Sequence, residues 1–199
     1  MELLIATRNP GKLKEIEQVL KNLPHKIIDL SQTDIPSDFD IPETGKTFKA
    51  NAILKARGFG EKSQLLTFAD DSGLIIDYLN GFPGINSARF AQKDFKTAMK
   101  KILKKLTNVP KEKRLAKFVS VLAIYNPQTK KIHTITGKCH GWIDFKPKGH
   151  HGFGYDPIFL SKDLNKTFGE VSLKEKNKIS HRAKALAQLK EYLSEAKIK

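Results

Sequence analysis

Apolar residues recur along this chain in two rhythms, and each change of rhythm marks a new element. Glu2–Ala6 is a short apolar run that reads as a strand. It gives way at Thr7-Arg8-Asn9-Pro10-Gly11-Lys12 to a helical spacing of Leu13, Ile16, Val19, Leu20 and Leu23. Lys26–Leu30 predicts a second strand, and Ser31–Gly45, with its prolines and acids, an irregular connection. Thr47–Gly60 reads as a helix with Thr47 as N-cap and Gly58 or Gly60 near its end. Leu65–Ala69 and Leu74–Leu79 predict two further strands, with Asp70-Asp71-Ser72-Gly73 as the turn between them. Gly81-Phe82-Pro83-Gly84 is a strong turn signal.

In Asp94–Leu106 the residues Phe95, Ala98, Met99, Ile102, Leu103 and Leu106 share one helical face, and Lys96, Lys100, Lys101, Lys104 and Lys105 fill the other. Phe118–Tyr125 and Lys131–Lys138 predict paired strands across a hairpin loop at Asn126–Thr129, and Gly141–Phe145 extends the meander. Lys148–Asp156, rich in Gly and His, predicts irregular structure. A last helix begins near Ser180, with Ala183, Leu186, Leu189 and Leu193 inward. Strand–helix alternation followed by a hairpin predicts an α/β protein with a mixed sheet and flanking helices. With no repeat, low-complexity tract or flexible linker, the 199 residues read as a single domain of two lobes.

Charge changes this picture only modestly. The chain carries 36 Lys and Arg against 21 Asp and Glu, a net +15, which implies anionic partners, whether polymers or small phosphates. The lysines lie in no single tract, and those of Asp94–Leu106 fit a solvated helix face better than a nucleic-acid stripe. The interleaved aromatics of a single-strand groove are missing. The single Cys139 excludes an internal disulfide and points to a reducing compartment. Leu3-Leu4-Ile5-Ala6 is too short for a signal or membrane segment, so a soluble, cytoplasmic protein without membrane contact is expected.

The chemistry-bearing residues gather at the ends of elements. Thr7–Lys12 sits where open α/β sheets bind ligands, and its amide groups, the Thr7 hydroxyl, Asn9 and Lys12 suit a phosphate, although the loop is not a Walker A motif. Asp70 and Asp71 are adjacent on extended chain, so their side chains point to opposite faces and have separate jobs: one holds local structure, the other reaches a metal or a water. Asn51 and Lys55 share a helix face. In Gly152-Phe153-Gly154-Tyr155-Asp156-Pro157, glycines let the backbone approach a flat ligand, Phe153 offers a stacking face and Asp156 an acceptor for a ring N–H. His150-His151 is a poor metal site, because neighbouring side chains diverge. Arg182 lies in the first turn of its helix, where the dipole disfavours a cation by roughly 0.3–1 kcal/mol, a cost more readily understood if an acceptor-rich ligand docks there. Lys176 adds a donor one turn upstream.

Taken in order, Ala6–Lys12, Glu43-Thr44-Gly45-Lys46-Thr47-Phe48, Asn51–Arg57, Ala69-Asp70-Asp71-Ser72-Gly73-Leu74, Pro83–Arg89, Gly152–Pro157 and Glu175-Lys176 with Ile179-Ser180-His181-Arg182 form one set of motifs. With them the chain resembles the inosine triphosphate pyrophosphatases, also called the XTP/dITP diphosphatase or Ham1-like family, from about residue 2 to 193. The resemblance implies an elongated mixed sheet flanked by helices, two lobes with a nucleotide cleft between them, and a homodimer. It implies a magnesium-dependent hydrolase that converts ITP, dITP and XTP to the monophosphate and pyrophosphate, removing them before incorporation into DNA and RNA. It makes Asp71 the catalytic base and, with Glu43, the metal-associated acid. Thr7, Arg8, Asn9, Pro10, Gly11, Lys12 and Ser72 become triphosphate contacts, with Lys55 and Arg89 as candidates for the same. Phe153, Gly154, Tyr155, Asp156, Lys176, His181 and Arg182 become nucleoside contacts. Three positions depart from the family pattern: Arg8 where glycine is common, Pro42 where some members carry a metal-binding Glu, and His150-His151 where smaller residues precede Gly152.

The mechanism expected from residues and resemblance alike has lysines and magnesium neutralise the triphosphate while Asp71 prepares a water. His181 and Arg182 would donate to a 6-keto oxygen, which inosine and xanthine bear and adenine lacks. Two competing readings remain: a non-catalytic nucleic-acid binder, motivated by +15, and a nucleotide kinase, disfavoured by the missing Walker A motif. No specific nucleic-acid partner is expected.

Overall fold

The computed structural model describes residues 2–92 and 94–194. Its strands are β1 (Glu2–Ile5), β2 (Lys26–Asp29), β3 (Leu66–Ile76), β4 (Leu115–Tyr125), β5 (Ile132–Ile143) and β6 (Phe159–Ser161). Its α-helices are α1 (Pro10–Leu20), α2 (Phe48–Ser63), α3 (Ser87–Ala91), α4 (Phe95–Lys105), α5 (Leu173–Ile179) and α6 (His181–Ser194). The strands form one mixed sheet in the order β2-β1-β3-β4-β5-β6. β1 runs parallel to both neighbours, with Leu4 opposite Ile28 on β2 and Thr67 on β3, and β6 pairs antiparallel with β5. The α/β class and the mixed sheet follow the sequence pattern.

The described residues divide into two compact units, each with its own core. The first takes in everything up to Asp71, Ser120–Gly137 and everything from Arg182; the second takes in Ser72–Val119 and Lys138–His181. In the first unit, Leu3, Ile5, Phe68 and Leu122 from the strands meet Ile16 and Leu20 of α1 and Leu186, Leu189 and Leu193 of α6. In the second, Leu74, Phe118 and Phe159 meet Ile102 of α4 and Phe168. The lysines of α4 stay exposed while Ala98, Met99 and Ile102 are buried, as the spacing predicts.

Three local expectations fail. The acid pair does not sit in a turn, because β3 continues through Asp70-Asp71-Ser72-Gly73 without a break. The turn preference of Asp, Ser and Gly is overridden by tertiary partners that satisfy the Asp70 side chain inside the strand. Likewise α2 does not stop at its glycines but runs on to Ser63, closing with Gln64 in the left-handed conformation. Gly60 serves close packing instead: a β-carbon there would meet Cδ1 of Tyr125 at 2.6 Å. Gly141 falls inside β5, so the predicted partner strand and its extension are one twelve-residue strand.

Candidate active site

The first unit gathers a cluster of charges around the middle of β3. Thr7 and Asn9 shape the approach. The Thr7 hydroxyl accepts from the Asn9 amide, and Asn9 caps α1 by accepting from the Lys12 amide at 3.0 Å. The cap fixes the first turn of α1 and with it the root of Lys12, whose ammonium lies 2.9 Å from Asp70 Oδ2. On α2, capped by Thr47, the buried Asn51 accepts from the Gly45 amide at 2.8 Å and so pins the segment that carries Glu43. One turn on, Lys55 donates to Glu43 Oε1 at 2.7 Å, to the Asp70 carbonyl at 3.0 Å and to Asp71 Oδ1 at 3.3 Å. The Arg8 guanidinium donates to the carbonyls of Pro36 and Phe39, holding the irregular segment before α2.

Alternation along β3 gives the two aspartates different surroundings. Asp70 is the hub. Its side chain is fully buried, Oδ1 accepts from Ser120 on β4 at 2.5 Å, and Oδ2 faces both Lys12 and Arg182. Burial alone raises its pKa, but Lys12, Arg182 and the hydrogen bonds outweigh burial and hold it well below the usual carboxylate range. Asp71 goes the other way: burial lifts its carboxyl, and Lys55 and Lys12 only partly restrain it. Its Oδ2 is buried and has no hydrogen-bond partner. Lys55 is raised, the pull of Asp71 and Glu43 exceeding the effect of its burial.

Arg182 departs from expectation. Rather than projecting from its helix end, it is 2% exposed, with Nη1 on Glu15 of α1 and Nη2 3.2 Å from Asp70 Oδ2. The tension of a cation in a first helical turn is therefore met by two buried carboxylates.

In the second unit, the glycine-rich loop closes on an ion pair. Lys176 of α5 donates to Asp156 Oδ2 at 2.5 Å, both residues being buried, and its ammonium stands over the rings of Phe153 and Phe168 at 4.9 and 5.3 Å. The same Asp156 oxygen accepts from the Phe153 amide at 2.8 Å. Gly152, at φ +73°, makes this turn tight: a β-carbon there would lie 2.0 Å from Asp156 Oδ2. Gly152→Ala is expected to lose about 1–2 kcal/mol from the backbone alone and to displace Asp156, which a thermal melt will register. His181 is buried and stacks on Phe118 at 4.7 Å. Tyr155 is buried, its hydroxyl donating to the Ser87 carbonyl at 2.8 Å and its ring packing edge-on against Phe95. Exposed Arg89 donates to Asn86 within its own short helical segment.

The Ham1 family profile matches residues 3–192. The chain belongs to the Ham1 family. It is 44% identical over 195 residues to the dITP/XTP pyrophosphatase of Thermoanaerobacter pseudethanolicus, covering 97% of this chain and 96% of that one. It is also 44% identical over 194 residues to the dITP/XTP pyrophosphatase of Bacillus subtilis, 96% of each chain. Among solved structures, the Staphylococcus aureus Ham1 protein superposes with a TM-score of 0.87 at 37% identity, over 99% of this chain and 100% of that one. A Ham1 protein from Coxiella burnetii gives 0.88 at 39% identity, over 98% and 100%.

In this Ham1 chain the structure brings Lys12, Lys55, Glu43 and Asp71 together, and separately Phe153, Asp156 and Lys176. Sequence reasoning missed Glu15 and Ser120. Glu15 had a signal, as an acid directly before Ile16 on an otherwise amphipathic helix, three residues from Lys12. Ser120, inside an apolar strand, had none beyond being a hydroxyl among hydrophobes.

Proposed function

We propose that this chain hydrolyses the α–β phosphoanhydride bond of deaminated purine nucleoside triphosphates, namely ITP, dITP and XTP. The products are the monophosphate and pyrophosphate, and the effect is to keep these bases out of DNA and RNA. Membership of the Ham1 family and the activity named for its relatives support the substrate class. The observation in the molecule that carries the chemistry is the buried, unpartnered Oδ2 of Asp71 beside two lysines.

That oxygen is an acceptor poised for a water or a cation. Among the described residues no three acids, histidines or cysteines come together in a metal cage. Glu43 and Asp71 nevertheless flank one ammonium, and one or two carboxylates plus substrate phosphates are the usual way magnesium is held. These residues fit a magnesium ion that arrives with the triphosphate. When bound, it neutralises phosphate charge and stabilises the leaving pyrophosphate. Asp71 accepts a proton from the water that attacks the α-phosphorus, and the bond to the bridging oxygen breaks as the new P–O bond forms. Burial, which raises its pKa, makes it a better base, while the nearby Lys55 ammonium favours the ionised form. Lys12 and Lys55 supply charge to the phosphates, with the Thr7–Lys12 amides and Ser72 as further donors.

For the base, Phe153 supplies a stacking face, and Lys176, Asp156 and His181 supply polar groups around it. A 6-keto oxygen gives such donors a partner, whereas the amino group of adenine leaves them unpaired. Arg182 can join them only by leaving Glu15 and Asp70. The family resemblance also supports a homodimer and a cytoplasmic setting; among the described residues no helix is long and apolar enough to cross a membrane.

The test is pyrophosphate release from ITP and ATP with and without magnesium. Release from ITP at least tenfold faster than from ATP, and only with the metal, is expected. Equal rates on both nucleotides would remove the base assignment. No release from either would remove the enzymatic reading.

A further inference from the structure

The Asp70 carboxylate carries two cations, and they are not equivalent. Arg182 is 2% exposed and its Nη1 is fixed by Glu15, so its planar fork is held from both sides. Lys12 is 15% exposed and is a point charge on a flexible four-carbon stem, rooted in the first turn of α1. Lys12 can therefore turn outward while Asp70 keeps a guanidinium on Oδ2 and the Ser120 hydroxyl on Oδ1. Arg182 cannot do so without giving up Glu15 as well.

We propose that Lys12 is parked on Asp70 in the substrate-free protein and transfers to the distal phosphates of a bound triphosphate, while Ser120 and Arg182 stay behind to keep Asp70 satisfied. This rests on the triphosphate reading given above. It makes Ser120 a positioning residue: it touches no substrate and acts through Asp70 on the availability of Lys12. Without its hydroxyl, a fully buried carboxylate oxygen loses a 2.5 Å hydrogen bond and the aspartate depends more on its cations. The movable cation is then the one held back from phosphate.

The experiment compares Ser120→Ala and Ser120→Thr in the full chain, with Kd measured in magnesium for inosine α,β-imidotriphosphate and for inosine monophosphate. The alanine variant is expected to bind the triphosphate analogue about tenfold more weakly and the monophosphate within about twofold of the unmodified protein. Threonine, which restores the hydroxyl, recovers most of the loss. In a Lys12→Ala background the further change Ser120→Ala has no effect, because no parked ammonium remains. Equal losses for both ligands, a tenfold loss that persists without Lys12, or unchanged triphosphate binding would each overturn the proposal. Should the alanine variant not fold, Ser120→Cys keeps the volume with a weaker donor and gives the same pattern in smaller measure. If the unmodified protein binds the triphosphate analogue no better than the monophosphate, the triphosphate reading itself fails, and that outcome is visible before any variant is made.

Discussion

Asp71→Asn is expected to lose turnover on ITP by roughly a thousandfold or more, while its melting midpoint stays level or rises. The first half follows from role. A carboxylate that accepts the proton of the attacking water contributes about 10²–10⁴ in rate, and the amide can neither accept it nor help hold a divalent ion. The second half follows from environment. In the folded protein the Asp71 carboxyl is lifted above its ordinary range, burial being the largest cause. A raised carboxyl pKa means that folding favours the protonated form, so the ionised group costs stability above that pKa and a neutral isostere relieves the cost. Its Oδ2 has no hydrogen bond to lose. Single-turnover kinetics with a thermal melt on the same preparation decide the matter. Activity within tenfold of the unmodified protein would take Asp71 out of the chemistry, and a large drop in melting midpoint would make it structural.

The neighbouring position shows how far a sequence can be read. That two adjacent acids point to opposite faces followed from strand geometry, and their surroundings differ accordingly: Asp70 is locked by Lys12, Arg182 and Ser120, and Asp71 keeps a buried oxygen without a hydrogen-bond partner. That they lie in mid-strand did not follow. Local turn preference was the only signal available, while the partners that override it come from α1, β4 and α6, between 50 and 112 residues further along or 58 back. The longer helices α1, α2, α4 and α6 were legible because their apolar spacing is local, whereas α3 and α5, of five and seven residues, are too short to show a period. The interior glycines of α2 misled for the same reason as the acids: the ring that Gly60 accommodates belongs to Tyr125, far along the chain. Lys12 and Lys55 were legible as phosphate candidates from their positions after a strand and on a helix face. Their attachment to Asp70 and Asp71 was not, since an ion pair between distant segments leaves no periodic trace. Tyr155 was read with its loop neighbours as a nucleoside contact, and only the fold reveals that its hydroxyl is committed to the Ser87 carbonyl.

The largest stability effect is expected from Arg182→Ala. Its guanidinium is buried between Glu15 and Asp70, and removing it leaves two carboxylates inside the first unit with one cation fewer. Breaking a buried pair by deleting one partner costs about 3–5 kcal/mol, which at about 2–4 °C per kcal/mol for a chain of this size lowers the melting midpoint by about 6–20 °C. The pH dependence sharpens the test. Asp70 is depressed well below its ordinary pKa by Lys12 and Arg182 acting against burial. The stability from that depression is therefore present above the unfolded pKa and is lost as pH falls through the lower folded one. Without Arg182 the folded pKa of Asp70 climbs towards the unfolded value, this contribution shrinks, and acid unfolding begins at a higher pH than in the unmodified protein. Replacing the group as a whole, with Glu15→Gln and Arg182→Met together, should cost less than Arg182→Ala alone, because the charge that faced the guanidinium is removed with it. An unchanged melting midpoint and acid-unfolding curve in Arg182→Ala would mean that the guanidinium is held loosely on its carboxylates. It would then be available to the base, and the discrimination between ITP and ATP in that variant would become the measurement that assigns it.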